Sequence, residues 1–379
     1  MTVVFYISGH GFGHASRQVE IINALVGLAP TCGVIIRSAV RADLLARTLT
    51  VPYRLLEGAC DTGISQPTSV THDDDATLRE AVEYYETWPD RVAGELERLA
   101  AERPALIVGD IPPLAFEVAD RLGVPSVAVA NFTWDWIYET QPGLDLAAPR
   151  LRPLLRAAYA KASLALELPL SGGFEVFGNR RALPFVARRP RQSRDDTRRF
   201  FGLPLDGRVA LLSFGGYGLP DLDLGRIDSR REWTIATTDR VSGSVPDDSL
   251  AHVVEIPETT FVIDRFRYED LVAAVDVVIT KPGYGIIAEC IAADTAMLYT
   301  SRGTFREYQV LVDALPRLLR SRFINQEDLF AGRWSEALTA VLAQPAPPEQ
   351  PATDGANIAA RAILELSGRR VSRTGGNRD

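Results

Sequence analysis

Two histidines and three glycines fall within six residues, Gly9-His-Gly-Phe-Gly-His14, directly after the apolar segment Thr2–Ser8. Histidine is the side chain best suited to moving a proton near neutral pH, and glycines beside it let backbone and substrate approach closely. His14 is therefore a candidate base for a hydroxyl that must lose a proton, with His10, Gly11 and Phe12 as candidate acceptor-side neighbours. A structural hydrogen-bonding role for both histidines stays open. Asp110 closes another apolar segment, Leu106-Ile-Val-Gly-Asp110, where it orients His14, binds the acceptor or caps a helix.

A second constellation is Asp276-Val-Val-Ile-Thr-Lys-Pro-Gly-Tyr-Gly-Ile-Ile-Ala-Glu289. A strand delivers the chain to a glycine turn at Lys281, Gly283, Tyr284 and Gly285, and a helix starts there. Free N–H groups and the positive helix end suit a diphosphate, Lys281 adds a charge, and the Glu289 carboxylate suits two ribose hydroxyls. After the next strand, Arg302, Arg306 and Glu307 either hold a sugar or phosphate or pair with one another. Trp134 and Trp136, two apart after a strand, form an aromatic floor for an acceptor or close the core. Asp73-Asp-Asp75 precedes a long helix and reads as capping rather than a metal cluster. The alternating glycines of the first loop miss the G-x-G-x-x-G spacing of a dinucleotide fold, and the second strand ends at Arg37-Ser38 without the acidic residue expected there. Arg37 suits a 2′-phosphate at most.

The elements that must position these groups alternate. Strands are expected at 2–8, 33–37, 105–109 and 124–130, and helices at 15–28, 41–49, 76–102, 113–122 and 148–161. The pattern restarts with strands at 208–213, 233–237, 252–256, 276–280 and 296–300 and helices at 285–293, 306–321 and 335–343. Such alternation indicates βαβ units and parallel sheets. The sequence thus predicts an α/β protein of two Rossmann-like, doubly wound domains facing a cleft: a first domain over 1–170, a linker over 171–190 and a second domain over 191–345. A helix within 346–368 is expected to pack back on the first domain, and 369–379 to be a disordered tail. The stretch 180–199 holds eight arginines, read as a solvated linker and helix or, alternatively, as a contact for an anionic ligand.

The 379 residues exceed one ordinary core. A net charge of −8 argues against a general affinity for nucleic acid. No apolar run approaches the roughly 20 residues of a membrane span, and the N-terminus has no cleavable apolar leader. Three scattered cysteines fit a reducing cytoplasm better than a disulfide or zinc framework. A monomer or homodimer is expected.

The motifs together support a comparison. Gly9–Arg17, Asp110-Ile-Pro-Pro113, Asn131-Phe-Thr-Trp-Asp-Trp-Ile-Tyr138, Lys281–Gly285 and Thr300–Glu307 resemble the glycosyltransferase-like proteins related to the N-terminal half of plant L-arabinokinase. That group looks like a branch of the GT-B superfamily near the MurG-type enzymes, and the resemblance runs from residue 1 to about 345. It implies a GT-B fold and sugar transfer from a nucleotide diphosphate sugar, a UDP-sugar, to a hydroxyl or amine, without a metal or other cofactor. It implies that Glu289 binds the ribose, that Gly215 and Gly216 approach the diphosphate, that the nucleobase sits near Phe266 and Arg267, and that His14 is a base or acceptor-side residue. Lys281 departs from the small polar residues of MurG. The glutamate pair of retaining enzymes is absent, since Met297 stands eight after Glu289, which favours inversion. The kinase portion of arabinokinase has no counterpart here. A nucleotide-sugar 2-epimerase and a non-catalytic nucleotide-sugar sensor are the other readings, and the acceptor is unread.

Overall fold

The computed structural model describes residues 1–215, 219, 221–228, 232–238, 253–261, 265–303 and 305–374, the last six as backbone only. The chain divides into two units: 1–65, 73–186 and 354 onward form the first, while 66–72 and 187–353 form the second.

The first unit is built on a seven-stranded sheet: β1 (Thr2–Ile7), β2 (Gly33–Ser38), β3 (Arg54–Glu57), β4 (Leu106–Asp110), β5 (Ser126–Phe132), β6 (Leu164–Gly172) and β7 (Arg180–Ala182). The spatial order is β3-β2-β1-β4-β5-β6-β7, and the pairings are parallel. Val3 to Ile7 are fully buried, as an unbroken apolar strand inside a parallel sheet requires. The chain crosses from one side of β1 to the other between β2 and β4. The carboxyl ends of β1 and β4 therefore form a topological switch point, where such sheets bind ligands.

The second unit carries a six-stranded sheet: β8 (Arg208–Leu212), β9 (Trp233–Thr237), β10 (Val253–Glu255), β11 (Val277–Thr280), β12 (Ala296–Tyr299) and β13 (Ser321–Phe323). Its order, β10-β9-β8-β11-β12-β13, repeats the plan and places a switch point between β8 and β11. The short segment 66–72 is built into this unit: Val70 joins its core and Ser69 donates to the Phe214 carbonyl at 2.8 Å.

Several boundaries differ from the sequence expectation. The helix expected over 76–102 is two, Asp74–Glu86 and Trp88–Leu99. Pro89 stands at the start of the second, where its missing N–H costs nothing. Asp73 caps the first as expected, accepting from the Ala76 amide at 2.8 Å. The stretch read as a linker, 171–190, contains the end of β6 and all of β7, and the units meet in sequence between Val186 and Ala187. The final helix, Gly355–Thr374, runs past the expected bound at 368 into the stretch expected to be a disordered tail. It packs on the first helix, Phe12–Leu28, and Ala359, Ala360, Ala362 and Ile363 lie in the core of the first unit. Truncating such a residue as Ile363 to alanine costs about 2–5 kcal/mol.

Candidate functional site

In the first unit, β1 ends in the glycine loop and the helix Phe12–Leu28 begins at once. Its N-cap, Gly11, has φ 77°, a left-handed conformation that only glycine adopts cheaply. His14, Arg17 and Gln18 share one face of this helix at i, i+3 and i+4, and all three turn onto Asp110 at the end of β4. His14 Nδ1 lies 2.8 Å from Asp110 Oδ1. Arg17 donates to both carboxylate oxygens at 2.5 Å, and Gln18 Nε2 donates to Oδ2 at 2.8 Å. Arg17 is steadied in turn by Asn131 Oδ1 at 2.7 Å.

Asp110 is fully buried, and burial alone would raise its pKa. The Arg17 charge and the hydrogen bonds from Arg17 and His14 outweigh that cost and hold it below the ordinary carboxylate range. An ionised carboxylate only accepts, so His14 Nδ1 carries the hydrogen and the basic lone pair is on Nε2. Arg17 Nη2, also 2.8 Å from Nδ1, directs its hydrogen to Asp110. The expected contact between Asp110 and His14 is present. Sequence reasoning missed Arg17, Gln18 and Asn131 as partners; the helical spacing 14, 17, 18 was the signal for the first two.

Trp134 is 1 % exposed and touches both imidazoles: its ring centroid is 5.6 Å from His10, edge-on, and 6.4 Å from His14. It stacks on Tyr138 at 5.9 Å. Trp136 is half-buried, and its indole stands close enough to Gly172 to leave no room for a side chain there. Gly11 is exposed and Phe12 half-buried at the helix start. Arg37, read as a 2′-phosphate ligand at most, is instead buried and paired with Glu95 at 2.9 Å, which leaves it committed inside the unit.

In the second unit, Gly215 follows β8, while Gly216 lies outside the described residues. Lys281 follows β11, and the helix Tyr284–Ala293 starts at Gly283 without a side-chain cap or an acidic residue in its first turn. That combination leaves the positive helix end uncompensated by the helix itself. Gly285 lies in the first turn and Glu289 in the second, where Glu289 is 3 % exposed. Arg188 binds its Oε1 through Nε and Nη2, both at 2.5 Å. Arg188 also faces Glu269 at 3.8 Å and lies over the Tyr268 ring. Burial disfavours its charge, and Glu289 and Glu269 more than offset that cost. Arg188 thus corrects the solvated reading of 180–199, as does Arg198, which is 1 % exposed and donates to the Ala274 carbonyl and Asp276. Buried carboxylates and carbonyls draw these two inward, a partner pattern no charge run discloses.

Arg267 is buried and pairs with Glu269 at 2.6 Å, so Arg267, Glu269, Arg188 and Glu289 form a row of alternating charges. Phe266 does not join it. Its ring stacks on Phe200 at 4.1 Å. Arg302 and Glu307 pair at 3.4 Å, and Arg302 also donates to the Pro282 carbonyl at 3.3 Å, tying the loop after β12 to the glycine turn.

The fold agrees with that of solved structures. The chain superposes over 98 % of its length on the calicheamicin glycosyltransferase CalG4 (97 % of that chain, 14 % identity, TM-score 0.59). It does so over 98 % on Arabidopsis thaliana UGT89C1 (98 % of that chain, 12 % identity, TM-score 0.60). The match to Phytolacca americana UGT2, solved with UDP-2fluoro-glucose and pterostilbene, covers 97 % (94 % of that chain, 15 % identity, TM-score 0.58). This is the GT-B fold. Among curated proteins, Arabidopsis thaliana L-arabinokinase is 26 % identical over 97 % of this chain. The chain spans 34 % of that protein's length. No protein-family model matches. Set on the GT-B fold, the His14–Asp110 pair lies at the switch point of the first sheet, and the Lys281–Glu289 turn at that of the second. Among the described residues, no helix is long and apolar enough to cross a membrane.

Proposed function

We propose that the chain is a glycosyltransferase that moves a sugar from a nucleotide diphosphate sugar, a UDP-sugar, to a hydroxyl or amine acceptor with inversion. The observation that carries this reading is the buried His14–Asp110 pair, whose 2.8 Å contact fixes the tautomer and leaves Nε2 as a base. Two of the GT-B relatives support the donor class: UGT2 was solved with UDP-2fluoro-glucose and pterostilbene, and UGT89C1 with UDP.

In this reading Nε2 takes the proton of the acceptor as its oxygen or nitrogen attacks the anomeric carbon. The bond from that carbon to the diphosphate oxygen breaks on the opposite face. Asp110 stabilises the imidazolium that forms. Negative charge growing on the leaving diphosphate is met by Lys281 and the N–H groups at Gly283, Tyr284 and Gly285 rather than by a metal ion. Gly215 and Gly216 approach the diphosphate, Glu289 accepts from the ribose, and Arg302 with Glu307 faces the sugar. Phe266 and Arg267 lie toward the base, and His10, Gly11, Phe12, Trp134 and Trp136 toward the acceptor.

Calorimetry with UDP, followed by turnover of UDP-sugars against an acceptor panel with and without EDTA, tests the reading. UDP binding, and glycosylated product that survives EDTA and is lost in His14→Ala, are expected. Absence of UDP binding, or equal binding by Glu289→Ala, overturns the donor site. Free sugar inverted at C2 without any acceptor would instead establish an epimerase.

A further inference from the structure

After β3 the chain runs through Gly58–Gly63 and passes over the carboxyl ends of β1 and β2. Arg37 holds this loop by donating to the carbonyls of Gly58 at 2.5 Å and Ala59 at 3.3 Å, and the Cys60 thiol reaches the Ile7 carbonyl at 3.4 Å. Three successive residues then address three members of the histidine site. Asp61 Oδ2 accepts from Trp134 Nε1 at 2.8 Å. Thr62 shares a hydrogen bond with the Tyr138 hydroxyl at 2.9 Å. Gly63 lies so close to His10 that an added Cβ would meet its ring at 2.3 Å. The indole that Asp61 holds is the one in contact with both His10 and His14.

We propose that Asp61 is a positioning residue of the histidine site: it locks the Trp134 indole and thereby fixes both imidazoles. Among the described residues Asp61 is the acceptor of the Trp134 indole N–H, while the backbone amide of Trp134 donates to the Tyr159 hydroxyl. A buried indole N–H must keep a partner. Loss of the carboxyl therefore frees the ring to rotate away from His10 and His14.

The carboxyl also reports on its surroundings. Burial pushes Asp61 from its ordinary 3.8 up to about 7; hydrogen bonds from Trp134 and Ser8 oppose the rise, and the Asp110 charge adds to it. The groups that interact with it are Trp134 and Ser8, Asp110 from β4, the Cys60 thiol, and the phenols of Tyr84, Tyr85, Tyr138 and Tyr159. Burial raises the Cys60 thiol and each of these phenols. Among these groups it is the Asp61 carboxyl that is pushed to about 7.

Nuclear magnetic resonance of the full chain tests the proposal directly, with the Trp134 indole signal identified by its loss in Trp134→Phe. The indole N–H signal should move as pH crosses about 7 in the native chain and stop moving in Asp61→Asn, which keeps an acceptor. In Asp61→Ala the indole signal should shift, and the His10 and His14 imidazole signals with it. The turnover arm rests on the glycosyl-transfer reading. There kcat should fall at least tenfold in Asp61→Ala and recover in Asp61→Asn, with the Kd for UDP unchanged in both. Imidazole signals identical in native and Asp61→Ala chains overturn the proposal, as does an indole signal equally pH-dependent in Asp61→Asn. If Asp61→Ala does not fold, Asp61→Leu, which fills the same volume and offers no acceptor, is judged by the same imidazole signals. If the native chain binds no UDP, the donor reading falls while the indole and imidazole signals still decide the role of Asp61.

Discussion

The two units share a strand order and use their switch points in opposite ways. In the first, the switch point gathers side chains: four donors from His14, Arg17 and Gln18 converge on the single carboxylate of Asp110. In the second it offers backbone, an uncapped helix start at Gly283, with Glu289 braced by Arg188 behind it. A proton is moved by a side chain, whereas an anion is well held by amide groups. On the proposed glycosyl transfer, the same topology serves a reactive half and a holding half, and the difference lies in the loops.

The largest test of this contrast is His14→Ala. It is expected to lower kcat by about 10²–10⁴-fold, the usual worth of general base catalysis, while calorimetry shows UDP binding intact. A parallel loss of UDP affinity would erase the division of labour. Removing Glu289 leaves the half-buried Arg188 cation with the more distant Glu269 alone, which costs at most about 3–5 kcal/mol of stability. Urea unfolding of Glu289→Ala should show this, and the doubly changed Glu289→Ala, Arg188→Met chain should regain much of it.

The pH dependence of stability separates the halves again. Between about pH 4 and 7 the folded first unit keeps a proton on Asp61 that the unfolded chain has released. Stability is therefore full below that range and falls as pH rises through it. The displacement from 3.8 to about 7 corresponds to at most about 4 kcal/mol, and Asp61→Asn should flatten the slope in denaturant titrations at pH 5 and 8. The smallest effect concerns the helix starts. Gly11→Ala should cost about 1 kcal/mol because its φ is 77°. Gly283→Ala, at an extended φ of −158°, should leave thermal stability unchanged and weaken UDP binding instead.

The sheets were largely legible because buried parallel strands read as apolar runs; β1, β2, β4 and β8 are placed within two residues. β7 was not. Its Arg180, Arg181 and Ala182 are exposed, and its strand character comes from backbone pairing with β6 rather than from any apolar pattern. β3 and β13 are too short to show a period. The geometry of the candidate site was legible where polar residues cluster in sequence, at His14, Asp110 and the Lys281–Glu289 turn. It was hidden where partners are brought by the fold: Asp61 sits in a loop without periodicity, and Arg188 sits in a run that looked solvated. Phe266 was chosen by its place in the chain, and Phe200 takes one face of its ring.

The discontinuity of the first unit has a consequence for synthesis. Its core includes Ala359, Ala360 and Ile363, residues translated only after all of 187–353. On the ribosome the second unit can complete itself while the apolar flank of the helix Phe12–Leu28 still lacks its cover. A nascent chain stalled before residue 354 should accordingly display that flank to chaperones.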